Sequence, residues 1–359
     1  MRASFVALLI ATTAFGQSGR EDWRSYGRNY AGWRYSELAE INTANVAQLR
    51  PQWIFQTGVN GKQETTPLVF NQMMYITAPA NHAYALDGAT GRPVWHYQKQ
   101  VPPGVNVCCG QVNRGFAVIG DKLFKVNLEA TLVALDSKTG RRLWETTIDD
   151  IKKGFSATVA PLAVKNLVIV GIAGAEFGTR GFIDAYDATT GKRVWRFYTV
   201  AAPGDPGGGT WGGNSWERGG GSTWITGTYD PELNITYWGT GNPGPDFFGD
   251  ERPGDNLYTC SLVALDADTG KLKWHYQFTP HDVHDLGRCR RSRTYGSGYR
   301  RKEGEGGCAS QSKWIFLRAR SHERKIHHCE IVHAGELGRW HRRRWKAQGD
   351  RQSGPHRRR

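Results

Sequence analysis

Through the first 285 residues, apolar and polar positions alternate in short runs. Stretches such as DKLFKVNL (121–128) and KNLVIVGIAG (165–174) are rich in Val, Ile, Leu and Phe and are bounded by Gly, Asn, Asp or Lys. Runs of this length and pattern predict β-strands between tight turns, and no long stretch shows a helical period. Four segments then repeat one another: AYALDGATGRPVWHY (83–97), LVALDSKTGRRLWET (132–146), IDAYDATTGKRVWRF (183–197) and LVALDADTGKLKWHY (262–276). In each, an alternating strand leads to Asp, then Thr-Gly, then Trp four residues beyond the Gly. Asp and Thr-Gly supply a turn in which Gly takes the left-handed conformation, and the Trp opens the next strand, where it can pack between neighbouring sheets. Trp95, Trp144 and Trp195 recur at steps of 49 and 51 residues, and Trp274 follows after 79. A period near fifty marks a propeller or solenoid, and the strand pattern favours an all-β propeller.

Charge changes the picture only at the end of the chain. The formal net charge is +14, but residues 1–285 hold 26 Lys and Arg against 27 Asp and Glu, while residues 286–359 hold 21 against 6. The propeller segment therefore lacks the basic footprint of a nucleic-acid binder. At the other end, MRASFVALLIATTAFGQSGR begins with a basic residue, runs apolar from Phe5 to Ala14 and reaches small residues near Gly16–Ser18. Residues 1–18 read as a secretory signal too short to span a membrane, which leaves no integral membrane segment in the mature chain. Export implies an oxidising compartment, in which disulfides persist.

Several stretches carry candidate chemistry. Cys108 and Cys109 are adjacent in GVNVCCGQVNRG, and neighbouring Cα atoms about 3.8 Å apart are too close for an unstrained disulfide. They are either two free thiols or a small strained ring. Glu64 stands in KQETTPLVF, and Glu176 is the single acid of the Gly-rich GIAGAEFGTRG, where small side chains let a ligand approach the backbone. A carboxylate there can bind a hard cation. Trp224 follows three glycines in GGGSTWITGTYDPELNITYWGTGNPGPD, so bare a loop that its ring could stack on a planar ligand as readily as pack a blade. TPHDVHD ends the patterned region, and His281, Asp282, His284 and Asp285 alone would suggest a transition-metal site.

The repeats together with CCGQVNRG resemble the tryptophan-docking propeller of the pyrroloquinoline-quinone (PQQ) dehydrogenases, the methanol/ethanol dehydrogenase family. The resemblance runs from about Trp23 to Asp285, roughly five blades of a fold that in the family has eight, and family members are much longer than this chain. It implies a periplasmic enzyme that oxidises a small primary alcohol to an aldehyde with PQQ and Ca²⁺ or a lanthanide and passes electrons to a cytochrome c. It further implies that Cys108 and Cys109 form a vicinal disulfide, a rigid lid over the quinone, and that Trp224 is the floor beneath it. Arg114 would donate to the quinone oxygens, and Glu64, Thr158 and Ser222 would bond other polar groups of PQQ. Gly174 and Ala175 would line the cofactor, next to Ala173, where the family often has Ser. Glu176, Asn242 and Asp285 would hold the metal, and Asp285 would take the alcohol proton. The position that separates lanthanide from Ca²⁺ users in many members is Gly287 here, so the metal stays unassigned.

After Asp285 the repeats vanish and Arg dominates. Residues 286–359 read as a basic, disordered tail produced by a shifted reading frame. One extra T before the codons for the Trp-Asp that usually follows in the family yields Leu-Gly-Arg, the residues at 286–288. A tail that binds nucleic acid is the competing reading. A cofactor-free propeller scaffold, like the outer-membrane assembly lipoproteins that share these Trp repeats, is the alternative function. It has no need of Cys108, Cys109, Arg114, Glu176, Asn242 or Asp285.

Overall fold

The computed structural model describes residues 22–105 and 107–286, and beyond them the strands at 293–295, 315–319, 328–334 and 340–346. The segment expected to be a signal peptide lies outside the described residues. Four antiparallel four-stranded meanders follow one another. The first is β1 (Leu68–Phe70), β2 (Met73–Thr77), β3 (Ala83–Asp87) and β4 (Pro93–Tyr97). The second is β5 (Ala117–Ile119), β6 (Lys122–Asn127), β7 (Thr131–Asp136) and β8 (Arg142–Thr147). The third is β9 (Leu162–Val164), β10 (Leu167–Gly171), β11 (Phe182–Asp187) and β12 (Arg193–Tyr198). The fourth is β13 (Thr228–Asp230), β14 (Ile235–Gly239), β15 (Ser261–Asp266) and β16 (Leu272–Gln277). These are blades of a β-propeller, with the first strands β5 and β9 of neighbouring blades side by side.

The repeated residues build the same corner four times. Asp87, Asp136, Asp187 and Asp266 each accept the N–H and the hydroxyl of the Thr three residues on, at 2.7–3.1 Å. The Gly after the Thr has φ between +68° and +71°, which a residue with a Cβ adopts at a cost. In each blade the Trp lies opposite an Ala of the preceding strand, and the register slips by one residue just beyond that pair. The small partner leaves room for the indole, which in the first three blades projects onto the Gly corner of the next blade. The indole N–H of Trp95 donates to the Ser137 carbonyl (2.8 Å), that of Trp144 to Ala188 (3.3 Å) and that of Trp195 to Ala267 (3.1 Å). A Cβ added at Gly140, Gly191 or Gly270 would stand 2.5–2.8 Å from the indole laid over it.

Trp53, upstream of β1 and outside the repeat as read from sequence, docks in the same way, donating to the Gly88 carbonyl (3.2 Å) over Gly91. Where the sequence suggested roughly five blades, four carry the repeat. A fifth sheet lies in the stretch expected to be disordered: β17 (Arg293–Tyr295), β18 (Ile315–Ala319), β19 (His328–Ala334) and β20 (Trp340–Lys346). Apolar and β-branched runs such as IFLRA and HCEIVHA satisfy their backbone groups by pairing. This sheet contains a parallel pair, β17 with β18, and none of the Asp-Thr-Gly corners. No helix among the described residues is long and apolar enough to cross a membrane.

One buried charge gives the blades a pH dependence. Lys125 on β6 is fully enclosed and donates to Asn127 Oδ1 at 2.5 Å. Burial, helped by Lys99 and opposed by Glu129 and Glu145, pulls its pKa from 10.5 down to about 7. Between those values the unfolded chain binds the extra proton, so stability rises with pH across the window. Lys125→Met removes that slope. Thermal unfolding followed by circular dichroism from about pH 6 to about pH 10 is expected to show the variant's advantage shrinking as pH rises. A difference that stays constant would contradict it.

Candidate functional site

Four of the candidate residues occupy equivalent places in the four blades. Glu64, Arg114, Thr158 and Trp224 each stand three or four residues before the first strand of a blade: β1, β5, β9 and β13 respectively. Main-chain bonds stitch three of these approaches together. Thr66 N–H donates to the Arg114 carbonyl (3.0 Å), and Arg114 N–H donates to the Thr158 carbonyl (3.1 Å). The approaches therefore converge, and so do their side chains. The Arg114 guanidinium pairs with Glu64 at 2.6 Å, donates to Thr158 Oγ1 at 2.6 Å and lies 4.9 Å from the Trp224 ring centroid. Trp224 is 39% exposed, unusual for so large an apolar ring in a chain whose docking indoles are mostly covered. An open aromatic face beside a fixed guanidinium suits a flat, anionic, oxygen-rich ligand.

The loops between second and third strands carry two of the candidate oxygen ligands, Glu176 and Asn242. Glu176 sits in a short 3₁₀ turn (Ala175–Phe177) between β10 and β11. Gly174, with φ +123°, admits no side chain at the start of that turn, because an added Cβ would stand 2.2 Å from the Gly154 carbonyl oxygen. Ser222 is buried, and its hydroxyl accepts the Ala175 N–H at 3.2 Å, which ties the Glu176 turn to the strand approach that carries Trp224. Asn242 lies between β14 and β15. Its amide nitrogen donates to Asp246 Oδ1 at 2.6 Å, which leaves the amide oxygen to ligate. Asp285 follows β16, exposed and in the left-handed region at φ +52°.

These acids feel one another. Burial, then Glu176, raises the pKa of Asp246; burial, then Asp246 and Asp282, raises that of Asp285. A cation would relieve that repulsion, and a carboxylate–amide–carboxylate set is the hard-oxygen chemistry that Ca²⁺ and lanthanides take. Among the described residues no three His, Cys, Asp or Glu side chains already stand at metal-holding distance. A cavity of about 810 Å³ opens beside Glu176 and Asp246, lined also by Phe177, Arg218 and Pro245.

Two sequence readings need revision. Cys108 and Cys109 are free thiols in the structure. The link demands backbone strain between adjacent residues, and burial, then the neighbouring Cys109 and Glu176, push the pKa of the Cys108 thiol up to about 12. The cysteines nonetheless lie at the site, next to Glu176. The transition-metal reading of TPHDVHD also fails. Asp282 is turned inward, 1% exposed, and accepts the His284 and Leu286 N–H groups, while the His281 ring bonds the Gly254 carbonyl. Sequence reasoning missed Asp246, the acid bonded to Asn242; its position four residues beyond the Asn in GNPGPD was the available signal.

Residues 23–288 match the family model described as "PQQ: Glucose/ethanol/alcohol dehydrogenase, beta-propeller domain". The chain belongs to the PQQ-dependent alcohol dehydrogenase family. Among curated relatives, the quinohemoprotein alcohol dehydrogenase ADH IIB of Pseudomonas putida is 43% identical over 293 residues, covering 77% of this chain and 42% of the relative. The lanthanide-dependent methanol dehydrogenase of Methylacidiphilum fumariolicum (strain SolV) is 43% identical over 287 residues, covering 73% and 47%. The solved europium-containing methanol dehydrogenase superposes with a TM-score of 0.74 at 36% identity, over 88% of this chain and 54% of that one. The chain thus spans about half the length of the PQQ-dehydrogenase relatives it matches.

Proposed function

We propose that this chain carries the cofactor- and metal-binding part of a periplasmic PQQ-dependent alcohol dehydrogenase acting on a small primary alcohol. The observation that carries the reading is the convergence of Glu64, Arg114, Thr158 and an exposed Trp224 from four successive blades, beside the oxygen ligands Glu176, Asn242 and Asp285. A cofactor-free scaffold has no use for an exposed indole and a fixed guanidinium beside clustered carboxylates.

PQQ would be held on the Trp224 face, with Arg114 and Thr158 directed at its oxygens and Ser222 and Gly174–Ala175 along its edge. Bound there, it supplies an electrophilic quinone carbonyl that can accept hydride from the alcohol carbon. Ca²⁺ or a lanthanide would be held by Glu176, Asn242 and Asp285 and would supply Lewis-acid polarisation. Asp285 takes the hydroxyl proton, and its carboxylate is suited to this once the cation offsets the repulsion from Asp246 and Asp282. Arg114, held in register by Glu64, orients the acceptor and stabilises developing negative charge. Cys108 and Cys109, free thiols beside Glu176, would line the same site. The two electrons would leave to a cytochrome c.

The family match stops at residue 288, within three residues of the point where the repeats cease. We propose that residues 286–359 are read out of frame. Resequencing the locus tests this, and a continuous frame with no extra base would refute it. Titration of the purified chain with PQQ in the presence of Ca²⁺ or a lanthanide tests the site. Tryptophan fluorescence should quench in the parent, and Glu176→Gln should weaken the metal dependence about tenfold or more. Dye-linked alcohol oxidation is expected only from a frame-restored version. If that version binds no PQQ, the reading fails.

A further inference from the structure

Arg252 stands between the two halves of the metal site and belongs to neither. It follows a short 3₁₀ turn (Gly249–Glu251) in the loop between β14 and β15, and it is 0% exposed. A guanidinium removed from water is costly unless its donors are satisfied. Here four hydrogen bonds engage four of its five N–H donors, and every acceptor is neutral. Nε donates to the Pro245 carbonyl at 3.1 Å and Nη1 to Asn256 Oδ1 at 2.9 Å. Nη2 donates to the Asp246 carbonyl at 3.0 Å and to the Asp282 carbonyl at 2.5 Å. One planar fork therefore grips the backbone of the segment that carries Asn242 and Asp246, and the backbone of the segment that carries Asp285. A lysine, with one nitrogen, cannot reproduce that spread.

The far side of the clasp continues the arrangement. The Asp282 carboxylate accepts the N–H groups of His284 (3.0 Å) and Leu286 (2.8 Å). These two amides flank Asp285, whose left-handed backbone is thereby held from both sides. The buried Cys260 thiol donates to the same carboxylate at 3.1 Å. The route from Asn242 through Asp246, Arg252 and Asp282 to Asp285 is continuous in hydrogen bonds and chain; Asp246 lines the cavity, whereas Arg252 and Asp282 are buried behind it.

We propose that Arg252 is a positioning residue that fixes the spacing between the Asn242 loop and Asp285, and so sets both the cation's oxygen cage and the place of the proton acceptor. This rests on the function proposed above. Without the clasp the two loops remain folded, but their ligands no longer share one geometry. Outer groups that orient ligands commonly change metal affinity by about 10- to 100-fold when replaced.

The probe is Tb³⁺ added to the full chain, read by luminescence sensitised through the site's tryptophan, with lifetimes in H₂O and D₂O reporting bound waters. Arg252→Lys is expected to weaken Tb³⁺ binding about tenfold or more and to add bound water, together with a fall in melting temperature from the carbonyls left unpaired. Hydrogen exchange should quicken in 243–247 and 282–286 and stay unchanged in the blades. Arg196→Lys is the structural control: Arg196 pairs with Asp149 and Asp184 and touches neither loop. It should lower the melting temperature and leave Tb³⁺ affinity intact. Parental affinity and hydration in Arg252→Lys would overturn the proposal, as would equal losses in both arginine variants. Failure of the unsubstituted chain to bind Tb³⁺, or Tb³⁺ binding indifferent to Glu176→Gln, would instead overturn the functional reading itself.

Discussion

Trp95→Ala is expected to lower the free energy of unfolding by about 3–5 kcal/mol, a large share of the 5–15 kcal/mol that holds a typical domain. Trp95 is 8% exposed. Its ring covers the Gly140 corner, packs near Tyr75 with centroids 6.1 Å apart, and donates its indole N–H to Ser137 at 2.8 Å. Truncation therefore opens a cavity between two blades and leaves a carbonyl without its donor. Trp224→Ala is the matched comparison. Its ring is exposed, so the same truncation should cost about 1 kcal/mol or less. Urea denaturation of the two variants measures the difference, and equal losses would contradict the assignment of one indole to packing and the other to a ligand.

Arg114→Met is expected to weaken PQQ binding by about 100-fold while leaving the melting temperature within a few degrees. The loss has two sources. The charge-assisted bonds to the ligand disappear, and Glu64 is left without the cation that offsets it, facing an anionic cofactor. Arg114→Lys restores the charge but not the fork, and should recover only part of the affinity. Fluorescence quenching by PQQ reads all three proteins. Unchanged affinity in Arg114→Met would remove Arg114 from the site, and recovery of full affinity by lysine would reduce its role to that of a point charge.

The parts legible in the sequence were those whose cause lies within a few residues. Asp-Thr-Gly corners and the Trp four residues on are local devices, so the four copies mark the blades that carry them, although the length of the patterned region suggested roughly five. Trp53 performs the same docking but follows no repeat segment, and its role shows only where its ring meets Gly91. The first cluster was reachable only through the family resemblance. Glu64, Arg114, Thr158 and Trp224 share no letter, and what unites them is their offset from the first strand of each blade. By residue type alone Asp282 looks like a metal ligand, because its sequence neighbours are ligating types; its inward turn depends on Arg252 and Cys260, which are distant in the chain. A buried arginine whose partners are three backbone carbonyls and one asparagine amide leaves no pattern of residue types that points to its role.

The tryptophan contacts also give the ring a polarity. Each indole from Trp95 through Trp195 is made by one blade and used by its successor, and Trp53 feeds the first blade from upstream, so the seam between blades is asymmetric. A heritable module of this architecture is therefore not the blade but a frame offset from it, running from one glycine corner to the tryptophan that covers the next. Duplication or exchange of segments cut at those points would carry both halves of every seam, whereas cuts at sheet boundaries would strand an indole on one side and an uncovered glycine on the other. Grafting of blades between relatives should respect that offset.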